Sequence, residues 1–296
     1  MPTRPTAWLI DISNTFTKCA TARGRRLGRV RRYPTADWTV ARWRRAWRAA
    51  GSPRSVVASC VVPAARRTLA RALPAAHFLS HQSPCGIPLR YPGTRTLGAD
   101  RLANAIAAAR LHGAPAIAAD FGTAATFDVI DAKGAYIGGA IAPGRATLAH
   151  ALSDKTALLP LIQPDMPRRA IGRRTRDALR SGLAIGFAGL AAAILDALRK
   201  ELAPANPVVI ATGGDAPFAK RHVPGIDRLD PRLTLRGLAL VAEALATPRP
   251  RSRPTRSAAV ARPRRESAPA PRRPARSGEG PIRCGRRRRW RRATPG

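Results

Sequence analysis

Residues 116–144, AIAADFGTAATFDVIDAKGAYIGGAIAPG, decide how the rest of the chain is read. An apolar run ends on Asp120, the chain turns through Gly122-Thr123-Ala124, and two strand-length segments follow, joined at Asp131-Ala132-Lys133-Gly134. That order predicts a strand, a phosphate-sized turn and a hairpin. A carboxylate at a strand end followed by Gly-Thr lets backbone N–H groups and a hydroxyl approach an anion while the acid holds a cation beside it. The N-terminal region carries the same pattern: Trp8-Leu9-Ile10 runs into Asp11, followed by Ile12-Ser13-Asn14-Thr15 and a second extended stretch. Two such units, about half the folded length apart, predict a duplicated α/β architecture with a nucleotide between its halves.

Working outward, the charge has to be divided before it is interpreted. The chain has 296 residues, 45% hydrophobic, with a formal net charge of +36. Residues 247–296 hold 17 arginines against two glutamates, so +15 of that charge lies where apolar periodicity has stopped. A Pro, Ser, Ala and Arg mixture buries too little surface to offset chain entropy, and disorder is expected there. Its RRRRWRR run at 286–292 offers phosphate groups of nucleic acid or anionic surfaces a binding site, but an accessory extension is the expected reading, and nucleic acid is a partner through this tail or not at all. No uninterrupted apolar run reaches about 18 residues, and MPTRPTAWLID leads straight into a core strand without an apolar leader; a cytoplasmic, non-membrane protein is expected. Cys19, Cys60, Cys85 and Cys284 lack the spacing of a zinc site or a redox pair.

Taken in order, 7–12, 17–23 and 26–33 read as a three-stranded meander. A helix over 37–50 carries Trp38, Trp43 and Trp47 among arginines, with Trp43 and Trp47 on one face; it is expected to cover the sheet rather than to bind nucleic acid. A strand (55–62), a helix opened by Pro63 and a short strand (77–79) follow, and His77 and His81 fall by a loop rich in Pro and Gly, against a metal site. Gly98 precedes an alanine-rich helix with Leu102, Ile106 and Ala109 toward the core, so Asp100 and Arg101 sit together at its first turn. There Asp100 either complements the helix N-terminus or takes part in chemistry, and spacing alone leaves both open. After the hairpin come a helix over 146–158, a polar loop to 176, and a long helix striped by Leu183, Phe187, Leu190, Ile194 and Leu198. A strand over 207–211 then enters Thr212-Gly213-Gly214-Asp215, and a helix over 233–246 closes the fold.

Five segments in this order carry a resemblance that periodicity does not supply: DISNTFTK at 11–18, GADR at 98–101, DFGTAATFD at 120–128, YIGGAIAPG at 136–144 and TGGD at 212–215. Together they resemble a type III pantothenate kinase over residues 7–246. The resemblance implies the fold of acetate and sugar kinases and actin-like ATPases: two ribonuclease-H-like domains, 1–115 and 116–246, with ATP in the cleft and 247–296 outside them. It further implies transfer of the ATP γ-phosphate to the primary hydroxyl of pantothenate, in a homodimer needing Mg²⁺ and a monovalent cation, K⁺ or NH₄⁺.

Carried over by position, Asp11, Ile12, Ser13, Asn14, Thr15, Phe16, Thr17 and Lys18 match the first phosphate loop, with Asp11 facing Mg²⁺ and the phosphates. Thr123 matches the ATP-contacting threonine of the second loop, and Asp120 the monovalent-cation ligand. Tyr91, Gly98, Ala99, Asp100 and Arg101 match the pantothenate pocket, with Asp100 as proton acceptor, and Thr175 a further substrate contact. Two positions depart from the family pattern: Ser13 stands where glycine is usual, adding a Cβ beside the phosphates, and Thr94 where proline is usual. Ser13 is the feature that favours a catalytically weakened relative acting as a regulatory or binding protein.

Overall fold

The computed structural model describes residues 7–247; the expectations for the basic tail, its arginine run and Cys284 lie outside them. The first sheet is built on β1 (Ala7–Ile12), which pairs antiparallel with β2 (Phe16–Arg23) and parallel with β5 (Ser55–Cys60). The predicted third strand is two pieces, β3 (Arg26–Leu27) and β4 (Arg31–Pro34), both paired to β2. The break falls at Gly28, where the amide turns back to bond Thr21 O at 2.8 Å. β6 (His77–Phe78) extends the sheet beyond β5.

The second sheet repeats the plan. β7 (Ala116–Phe121) pairs antiparallel with β8 (Ala124–Ile130), which pairs with β9 (Tyr136–Pro143). On the other side β7 pairs parallel with β10 (Val208–Thr212), and β10 with β11 (Arg228–Leu229). Each sheet therefore has a central first strand, an antiparallel meander on one side and parallel strands on the other. The duplicated α/β architecture expected from the two acid-plus-turn units is present, in the ribonuclease-H-like form that the resemblance implies.

Strand alternation sorts the side chains into three cores. Trp8, Ile10 and Ile12 face outward against α1 (Val40–Ala49) and α2 (Pro63–Ala72). Trp43 is fully buried there, stacked on Trp38 at 3.7 Å, so the tryptophans cover the sheet as expected. The helix starts three residues later than predicted because the Thr39 hydroxyl caps it, accepting the Arg42 N–H at 3.2 Å. Ile117, Ala119, Phe121, Phe127 and Val129 face the opposite outer layer, α5 (Thr175–Leu202) and α6 (Ala216–His222). Between the sheets lies a shared core of Leu9, Ala116, Ala118 and Ile130 with α3 (Ala99–Ala107) and α7 (Leu233–Ala246). α7 packs on α3, β1 and β5, so the last helix returns to the first sheet.

Two features differ from the sequence reading. Helix α3 is buried on nearly every side, from Leu102 through Ala107, rather than along one stripe, because its alanines let both sheets and α7 approach. Helix α5 is long and apolar enough to cross a membrane by length and composition, although no uninterrupted apolar run of that length was expected. Part of that apolar surface is core: Leu183, Phe187, Ala191 and Leu195 are buried against the second sheet. α4 (Arg145–Lys155) packs on α5.

Candidate active site

The same alternation assembles the acids. In β1, Asp11 shares its face with Leu9; in β7, Asp120 shares its face with Ala116 and Ala118; in β8, Asp128 shares its face with Ile130. All three faces look onto the layer that holds α3, whose first turn carries Asp100 and Arg101. Four carboxylates from two sheets and one helix are thus within electrostatic reach through the inter-sheet layer.

Asp11 is 3% exposed, and its Oδ1 makes no hydrogen bond in the protein. Burial drives its pKa up to about 7; Lys18, its cross-strand partner, opposes the shift, while Asp100 and Asp120 add to it. A buried carboxylate with an unpartnered oxygen among like charges suits a cation, which would supply the missing counter-charge. Asp120 is held differently. Its Oδ2 accepts the Asn104 amide at 3.0 Å, and Asn104 Oδ1 accepts the Thr234 hydroxyl at 2.8 Å, so α3 and α7 tether it. Gly213 crowds its other oxygen: at φ +94°, a Cβ there would overlap both Asp120 Oδ1 and Phe121 O, which only glycine avoids. Burial raises the Asp120 pKa, opposed by Lys18 and the Asn104 bond.

The two phosphate-sized turns meet. Thr15 Oγ1 lies 3.3 Å from Thr123 Oγ1, joining residues 108 apart in sequence. Thr123 O in turn accepts the Gly144 N–H at 3.0 Å and the Thr147 hydroxyl at 2.5 Å, which locks the second turn to the start of α4. Ser13 donates its N–H to Phe16 O at 3.1 Å, and its carbonyl accepts the Thr35 hydroxyl at 2.7 Å. Among the described residues Ser52 is the single non-glycine residue at positive φ, so Ser13 occupies backbone open to any residue.

Asp100 Oδ1 accepts the Arg101 N–H at 2.8 Å, a first-turn bond made where the N-cap residue is Gly98 and offers no side chain. Burial raises the Asp100 pKa against its backbone hydrogen bonds and Arg101. The Arg101 N–H bond gives Asp100 the helix-end role, and burial makes its carboxylate more basic.

Arg101 reveals residues that the sequence reading missed. Its Nε donates to Asp128 Oδ1 at 2.7 Å, and the same oxygen accepts the Tyr136 hydroxyl at 3.2 Å. Tyr91 packs edge-on against Tyr136, ring centroids 5.5 Å apart, so Tyr91 and the 98–101 segment belong to one network. Asp128 is fully buried, its Oδ2 has no partner, and burial drives its pKa up to about 7 despite Arg101. The available signal was an acid inside a mostly apolar strand, opposite Ala118 of β7. β9 comes close enough for Tyr136 because Gly139, at φ +153°, sits against Phe127 O where any Cβ would collide. Arg145, also missed, is buried and ion-paired to Asp215 at 2.6 Å and Asp165 at 3.2 Å, tying the start of α4 to the glycine turn after β10.

Of the matched positions, Thr15 and Thr123 meet through their hydroxyls and Asp11, Lys18, Asp100 and Asp120 share one electrostatic field, with Arg101 and Tyr91 in the adjoining network. Others point elsewhere. Ile12 is in the outer core, Thr17 Oγ1 is 3.0 Å from Thr35 Oγ1, and Phe16 lies under the Arg32 guanidinium. Thr175 opens α5 and lines an apolar groove with Leu148 and Leu152, in a different part of the surface.

A family model for type III pantothenate kinase matches residues 8–197. The chain belongs to the type III pantothenate kinase family. A type III pantothenate kinase of Methylacidiphilum infernorum is 38% identical over 240 residues, covering 80% of this chain and 88% of the relative. Another, of Akkermansia muciniphila, is 49% identical over 166 residues, covering 56% of this chain and 68% of the relative. Two solved structures share the fold at low identity. A Campylobacter jejuni protein described as a Baf family transcriptional activator aligns over 80% of this chain and 98% of its own, with a TM-score of 0.54 and 20% identity. Component A of (R)-2-hydroxyglutaryl-CoA dehydratase from Acidaminococcus fermentans aligns over 80% and 96%, with a TM-score of 0.50 and 12% identity.

Proposed function

We propose that this member of the family phosphorylates pantothenate at its primary hydroxyl with ATP, giving 4′-phosphopantothenate, the first step toward coenzyme A. The observation that carries the reading is the meeting of both phosphate-sized turns through Thr15 and Thr123, with Asp11, Asp100 and Asp120 in one electrostatic field. Phosphoryl transfer asks chiefly for positioning and charge neutralisation, which these groups provide. Thr15, Thr123 and the turn amides orient the phosphates, and Lys18 supplies positive charge between Asp11 and Asp120. Asp100 takes the proton of the attacking hydroxyl; its raised pKa brings it toward the basicity that this step favours. Arg101, held by Asp128 and Tyr136, directs its remaining N–H groups to the substrate carboxylate.

Asp11 would hold Mg²⁺ together with the nucleotide phosphates, where the ion neutralises charge on the transferred group. Among the described residues no three His, Cys, Asp or Glu side chains converge on a metal position. Asp120 would hold K⁺ or NH₄⁺. A homodimer is proposed on the apolar groove between α4 and α5, whose neighbourhood exposes Leu152, Leu158 and Ile185; Thr175 on its rim would then lie beside the second copy. The two lobes are taken as 1–115 and 116–246, with α7 strapping the second to the first, and the enzyme as cytoplasmic. Ser13 needs no special backbone conformation, so the weakened-relative reading rests on its Cβ beside the phosphates alone. Coupled measurement of ADP release tests the proposal: release dependent on pantothenate is expected, and pantothenate-independent or absent release would overturn it.

A further inference from the structure

One sizeable groove is lined by none of the carboxylates Asp11, Asp100, Asp120 or Asp128. It is a groove of about 960 Å³ between the β2–β3 hairpin and α1, on the side of the first sheet facing away from α3. Six of its nineteen lining residues are arginines, Arg23, Arg26, Arg29, Arg31, Arg42 and Arg45, and none is acidic. Arg42 is paired with Asp37 at 3.1 Å, whereas Arg26, Arg29, Arg31 and Arg45 form no ion pair among the described residues. A high arginine content scatters charge over a surface; here a hairpin and one helix face aim it into a single concavity. The wall is not purely basic: Ala46 and Ala49 of α1 and Ala50 at its end supply apolar surface, as do the rings of Tyr33 and Trp38, over which the Arg42 guanidinium lies.

We infer that this groove is a second anion site, for a nucleoside polyphosphate whose phosphates pair with the hairpin arginines and whose base lies on the apolar wall. Guanidinium groups match phosphate oxygens bidentately, and the volume falls in the range that encloses a single small ligand. A nucleic-acid strand would instead call for a longer basic track with successive stacking platforms. The groove adjoins the end of β1 opposite Asp11, since Ala7 and Trp8 pair with Ala22 and Thr21 there. Binding in it leaves the catalytic cleft unobstructed.

The test compares the full chain with its Arg26→Glu/Arg29→Glu/Arg31→Glu variant, whose exposed side chains touch no part of the cleft. Equilibrium dialysis with ATP at about 0.3 M KCl, where diffuse attraction is screened, should give one more bound equivalent for the wild type than for the variant. Affinity for that equivalent should fall at least about tenfold, as expected on loss of charge-assisted bonds, with kcat unchanged and circular dichroism matching. The readout is the difference between the two proteins, so it stands whether or not the kinase reading does. Equal stoichiometry in both proteins would overturn the inference. So would displacement of the extra equivalent by a single-stranded oligonucleotide at lower concentration than by free ATP, which would make the groove a nucleic-acid surface.

Discussion

The two halves share one topology and place an aspartate at the same point of it, yet Asp11 and Asp120 are held in opposite ways. Asp11 keeps an oxygen with no partner and is faced by a single cation, Lys18. Asp120 is anchored through Asn104 and Thr234 to the two central helices and crowded by Gly213. Duplication thus supplied the geometry twice, and the neighbours divided the chemistry. An acid with an open valence suits a mobile, nucleotide-borne ion, whereas a tethered acid suits a fixed one. The helix between them, α3, carries Asp100, the proposed base, and Asn104 of the tether, so both halves meet on one element.

The sharpest way to break this division is at Asp100. Asp100→Asn preserves size and its bond to the Arg101 N–H but removes the base, and kcat is expected to fall by roughly 10² to 10⁴ with ATP binding retained. Near wild-type turnover by a folded, ATP-binding variant would leave Asp100 only its helix-end role. Next in size is Asp128→Asn, which leaves the Arg101 guanidinium buried without its counter-charge. A rise of about tenfold or more in the pantothenate KM is expected, with a stability loss on the order of 3 kcal/mol in urea unfolding. If only stability changes, Arg101 does not read the substrate carboxylate.

A third test addresses Asp11 through pH. Its folded pKa, about 7, lies above its ordinary value of 3.8, so between those limits the folded state binds more protons than the unfolded one. Stability of the ligand-free protein therefore drops as pH rises across that window, and Asp11→Asn should flatten the drop when melting temperatures of the two proteins are compared. Parallel curves would mean that Asp11 is already compensated within the protein. For Asp120, replacing Na⁺ by K⁺ at constant ionic strength should raise activity several-fold, a control that matters in so basic a chain. Asn104→Ala should weaken that preference, and equal rates in both salts would remove the cation role. The smallest effect is expected at Ser13: Ser13→Gly should move the ATP KM by no more than about fivefold, because backbone freedom is all it adds. A larger shift would mean that the serine Cβ does press on the phosphates.

Much of this molecule was legible from local pattern. Strand β1 and helix α7 have the bounds read from apolar periodicity, and both acid-plus-turn units lie at the ends of the central strands of their sheets. Strand ends and glycine turns are short-range events, decided by φ/ψ preference and by a period of two or 3.6 residues. Local pattern could not show which faces meet. The parity that sends Leu9 inward also sends Asp11 there, but only the stacking of the two sheets on α3 brings it into the field of Asp100 and Asp120. Asn104 and Thr234 read as ordinary helix residues, and Asp128 as the end of a motif, until packing joins them to Asp120 and Arg101. The sequence by itself determined most of the elements, the duplication and the places of Asp11, Asp100 and Asp120 in them; the tertiary structure alone brought in Asp128 and decided which oxygens are tied and which are left open, because burial and hydrogen-bond partners come from residues as far apart as 104 and 234.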